Sequence, residues 1–174
     1  MPDLSSLSRR AVLALLLATT AAAAQDAPIE RWLDLTPPGW NPYAKMNPLL
    51  FGRLQDGTPE AVEAMQKIRE ALDAAPTVAE LAGRQARLPG FVVPLQSTSD
   101  GVSEFLLVPY FGACIHTPPP PANQIVFVHL KTPQKGLKTM DAVRVIGRLS
   151  LVRQGNAAGE SGYRIDDAAL QRLR

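Results

Sequence analysis

Two scarcities do most to bound this chain. In 174 residues it has a single cysteine, Cys114, and only two histidines, His116 and His129. One cysteine cannot close an intramolecular disulfide, so the core must come from packing alone. Cys114 is then a free thiol, a metal ligand or half of an intermolecular bridge. Charge of one sign is missing too: 18 Lys and Arg stand against 16 Asp and Glu. So balanced a chain lacks the basic field of a dedicated nucleic-acid binder. Beyond the N-terminal segment, no run approaches the ~18 apolar residues that cross a bilayer. No Ser-His-Asp arrangement, glycine-rich phosphate loop or paired-carboxylate motif is recognisable, which argues against hydrolase and nucleotide chemistry and for a non-enzymatic role.

The first residues read as a targeting segment. Ser8-Arg9-Arg10 is basic, Ala11 to Ala18 is a short apolar run, and Ala22-Ala23-Ala24 supplies the small residues a signal peptidase reads. The expectation is a signal peptide over 1–24, cleavage before Gln25 and a periplasmic protein. The paired arginines partly match a twin-arginine signal, which leaves the Sec and Tat routes both open. Removing residues 1–24 takes away Arg9, Arg10 and Asp3, leaving 16 basic and 15 acidic side chains.

Residues 25–83 predict an arm and a helix. Ile29 to Leu35 suits a helical turn, and Trp32 and Trp40 suit anchors for an arm that Pro37, Pro38 and Pro42 keep irregular. Thr58-Pro59 has the N-cap and first-turn residues of a helix. Val62, Met65, Ile68 and Leu72 follow at helical spacing as its apolar face, and Pro76 ends it. Thr77 to Glu80 has capping-box form and predicts a short second turn.

From Arg84 the period becomes that of strands. Segments at 85–95, 104–108, 124–130, 143–152 and 163–165 read as extended. Pro89-Gly90 and Gly147 read as bulges or bends, 131–138 and 155–162 as turn and loop, and Asp166 to Leu173 as a closing helical turn. This makes a mainly β fold with some α: a small OB-like barrel over 84–174 behind an N-terminal helical arm. An open α+β sheet is the alternative.

The chemistry concentrates in Cys114-Ile115-His116-Thr117-Pro118-Pro119-Pro120-Pro121-Ala122-Asn123-Gln124. In an extended segment, residues two apart face the same side, so the thiol of Cys114 and the imidazole of His116 could meet. Together they suit zinc or copper, or a thiolate activated by its neighbour. The bland alternative is a half-buried cysteine beside an incidental histidine. Four prolines form a stiff rod that would hold the pair or face a partner. Asn123 and Gln124 offer amides for an imidazole or for the loop backbone. His129 alternates onto the face of Ile125 and Phe127. There it is a candidate third ligand, with Glu104 or water as a fourth, or simply a sheet residue.

Gly90 to Leu95, Glu104 to Pro109, the Cys-x-His-x-Pro-Pro-Pro-Pro-x-Asn-Gln string, Trp32 to Pro37, Gly147 to Leu149 and Gly162 to Arg164 together resemble DUF3299, a bacterial family of exported proteins. The resemblance implies a periplasmic location. It also implies a link to ABC transporters, some concerned with zinc, and so an accessory or metal-binding role. Three functions follow: a metal-binding or transporter-accessory module with Cys114, His116 and His129 as ligands, a thiol-dependent enzyme or redox protein using Cys114, and a protein–protein adaptor with a structural proline loop.

Overall fold

A computed structural model describes residues 27–42, 44, 57–113, 120–156 and 159–173. The signal-peptide reading of residues 1–24 lies outside them. Five strands close into a barrel: β1 (Gln85–Thr98), β2 (Gly101–Val108), β3 (Val126–Gln134), β4 (Ala142–Ser150) and the last strand, β7 (Tyr163–Arg172), in the order β1-β2-β3-β7-β4. β3 and β7 run parallel, and every other barrel pair is antiparallel. This is the Greek-key order of an OB-type barrel, and closure excludes the open sheet.

β1 makes closure possible by serving two neighbours. Its first half pairs with β4 and its second with β2, the exchange falling at Phe91. The β1–β4 register runs unbroken through Pro89 and Gly90, so the bulge expected there is absent. Gly90 is needed for space: a Cβ would lie 2.7 Å from the Val108 carbonyl oxygen. Bulges fall instead beside Gln96 and, as expected, around Gly147, where pairing with β7 slips between Ile146 and Leu149.

Three other expectations are corrected. Asp166 to Leu173 is not helical, because β7 runs through Arg172. The run Asp166-Asp167-Ala168-Ala169-Leu170 has ordinary helix formers, but Asp167 adopts φ 51° and the chain stays extended, filling the gap between β3 and β4. Closing the barrel outweighs local propensity here. Residues 155–162 contain a small hairpin, β5 (Gln154–Asn156) with β6 (Gly159–Ser161), rather than loop alone. β3 also extends into the segment read as a turn, ending at Gln134.

Alternation sorts the side chains. Val92, Phe105, Leu107, Val126, Val128, Val145 and Ile165 fill the barrel interior, joined by Ile29, Leu35 and Leu81 from the preceding arm. The helix α1 (Pro59–Asp73) is capped by the Thr58 hydroxyl, which accepts from the Ala61 amide at 3.3 Å. Only its second half is buried, through Ile68 and Leu72, whereas Val62 and Met65 are exposed. Arg153 holds the end of α1 by donating to the carbonyls of Asp73 and Ala75.

Candidate functional site

Cys114 and His116, with residues 114–119, lie outside the described residues. The two ends of their loop are described, and both are built into the body. On the leading side, Ala113 is buried with Leu106, Val108, Ile125 and Phe127 in a second apolar cluster on the outer face of β2 and β3. Gly112, at φ 83°, donates its amide to the Met140 sulfur at 3.2 Å. Met140 is itself held at φ 65°, a conformation costing a non-glycine residue roughly 1–2 kcal/mol. Phe111 meets Phe91 edge-on, with ring centroids 5.8 Å apart, yet remains 70% exposed.

On the trailing side, a 3-10 turn (Ala122–Gln124) fastens the loop to the arm. Gln124 Nε2 donates to the Trp32 carbonyl and to the Thr36 hydroxyl, both at 2.8 Å. Asn123, fully buried, donates to the Pro76 carbonyl at 3.0 Å, and its Oδ1 has no partner. The donor ends of these two amides are thus committed to the arm and to the segment after α1. The Gly162 amide donates to the Ala122 carbonyl at 2.7 Å, and a Cβ at Gly162 would crowd that oxygen at 2.8 Å.

His129 sits where alternation placed it, on the outer face with Ile125 and Phe127, while Val126, Val128 and Leu130 face inward. Glu104 is directly opposite it on β2. On the other side β7 brings Arg164 and Asp166. Arg164 lies 4.8 Å from the Phe127 ring centre, in cation–π geometry, and grips Asp166 through Nε at 2.8 Å and Nη2 at 2.7 Å. Hydrogen bonding from Arg164 lowers the Asp166 pKa, and the charge of His129 adds to the effect. Among the described residues, no three His, Cys, Asp or Glu side chains are grouped to hold a metal ion. Glu104, His129 and Asp166 therefore do not form a site by themselves.

Two features of this region escaped sequence reading. Arg164 was legible only as a polar strand residue, since its roles depend on a parallel neighbour 37 positions away in sequence at Phe127. Tyr163 is fully buried, donates to the Leu35 carbonyl at 2.8 Å and accepts from the Val78 amide at 2.8 Å. Burial raises its phenol pKa, partly offset by the Val78 hydrogen bond.

A family model described as protein of unknown function, DUF3299, matches residues 32–172. A crystal structure of a DUF3299 family protein from Pseudomonas aeruginosa PAO1 superposes with a TM-score of 0.63 at 34% identity, covering 85% of this chain and 97% of that one. No curated protein matches.

Proposed function

The chain belongs to the DUF3299 family, and from that premise we propose that it is a non-enzymatic periplasmic binding module that captures a soft transition metal, zinc first, at the Cys114–His116 loop. What carries the reading is the placement of His129. The loop leaves the body at Ala113, which packs into the same outer-face cluster as Phe127, and His129 is the next outward residue along β3. In sequence, Cys114 and His116 directly follow Ala113, and His129 lies on the face against which Ala113 packs. Cys114, His116 and His129 supply one sulfur and two nitrogens, a donor set suited to zinc, with Glu104 or water as the fourth. The anchoring of the two flanks supports the same reading, because ends already held in place lower the entropy cost of ordering the segment between them on a metal.

Cobalt substitution tests this reading. The protein should show a thiolate-to-cobalt charge-transfer band that Cys114→Ser abolishes, and His129→Ala should weaken affinity by about tenfold or more. Cobalt binding without a thiolate band would remove Cys114 from the site. An accessory role beside an ABC transporter, delivering or sensing the metal, is the partner proposal that goes with this function. A thiolate enzyme using Cys114 is the competing chemistry, and a thiol pKa near the ordinary ~8.5 argues against it.

A further inference from the structure

Away from the metal loop, the arm builds a groove of ≈ 580 Å³ bordered by Leu33, Pro37, Pro38, Trp40 and Arg84. A second groove of ≈ 640 Å³ lies along Trp40 toward α1, so Trp40 borders both. The wall is a tight turn: the Trp40 amide donates to the Pro37 carbonyl at 3.1 Å, with Pro38 second and Gly39 third at φ 74°. Those residues in those positions specify a type II turn. It cannot drift far, because Gln124 holds Thr36 and Tyr163 holds Leu35 just before it. The groove is therefore preformed, and it is lined by rigid rings and an exposed leucine.

Its unspent polar groups are donors. The Trp40 indole N–H makes no hydrogen bond among the described residues. Arg84 forms no ion pair among the described residues; its Nη2 donates to the Ala27 carbonyl at 2.9 Å and its Nε is sealed from solvent, which leaves Nη1 as the donor it can offer. Asp34, the one carboxylate on the wall, is already paired with Arg31 at 2.6 Å. Electropositive donors beside apolar rings complement a ligand made of carbonyl oxygens and hydrocarbon. A proline-rich chain in the polyproline II form is such a ligand: its prolines have no N–H, its carbonyls point outward, and it loses little entropy on binding. We propose that the Trp40 groove docks an extended, proline-rich segment of a partner protein, with proline rings on either side of Trp40 and carbonyls accepting from its indole N–H and from Arg84.

Titration with N-acetyl decaproline amide, followed by the two tryptophan indole N–H signals in NMR, tests this directly. The Trp32 indole donates to the Pro89 carbonyl at 2.6 Å and serves as an internal reference for folding. The Trp40 signal should shift saturably while the Trp32 signal stays, and a Gly-Ser peptide of equal length should shift neither. Trp40→Ala should weaken binding about tenfold or more by calorimetry. Leu33→Ser, at a site already 75% exposed, should weaken it without touching the fold. No shift with decaproline, an equal shift with the Gly-Ser peptide, or full affinity in Leu33→Ser would overturn the proposal, and the leucine variant decides alone should Trp40→Ala unfold.

Discussion

The Tyr163 hydroxyl donates to the carbonyl of Leu35, 128 residues earlier in the chain, at 2.8 Å. The same oxygen accepts from the Val78 amide, so one buried phenol ties the last barrel strand to the arm and to the segment after α1. Both partners are backbone groups that burial would otherwise leave unpaired, which makes this junction costly to lose.

Tyr163→Phe should cost ~1–3 kcal/mol, read as a lower urea midpoint at an unchanged slope. The raised phenol pKa adds a pH signature. Because the folded protein holds this proton more tightly than the unfolded chain, the stabilisation is fully present below about pH 10, the unfolded tyrosine value. It is lost as pH rises through the higher folded pKa. The variant should lack this alkaline limb, and a spectrophotometric titration should find one of the three tyrosines ionising last.

Gln124→Leu keeps the bulk and removes the donors that hold Trp32 and Thr36. It should cost ~1–2 kcal/mol and expose the arm to limited proteolysis before the barrel unfolds. Equal protease resistance in variant and wild type would show that Gln124 does not secure the arm.

Gly147→Ala would place a Cβ 2.3 Å from the Ile165 side chain, at the bulge where β4 slips against β7. Overpacking there should cost ~1–3 kcal/mol, measured by thermal or chemical unfolding. An unchanged midpoint would mean that the bulge has room the described geometry denies it.

The two halves of α1 should respond differently. Leu72→Ala, in the buried half, should cost ~2–5 kcal/mol. Val62→Ala and Met65→Ala, in the exposed half, should each stay within about 0.5 kcal/mol of wild type.

Local signals made much of this fold legible. Thr58-Pro59 announced a helix start, alternation in 126–130 sorted inward from outward side chains, and Gly147 marked a real bulge. What failed depended on distant partners. The β7 segment after Ile165 reads as helical because the sequence does not reveal the gap it fills between β3 and β4. Val62 and Met65 follow the apolar spacing, yet among the described residues the buried positions of α1 are Ile68 and Leu72. In the candidate site, His129 and its face followed from period alone. The latch of Asn123 and Gln124 onto Pro76, Trp32 and Thr36 did not, since an amide's target is set by tertiary approach.

Zinc content of the purified protein, compared with Cys114→Ser and normalised to chain concentration, tests the central proposal most directly. Close to one zinc per chain in the wild type and little in the variant is the predicted result. Equal zinc in the two proteins, or none in either after loading, would contradict it.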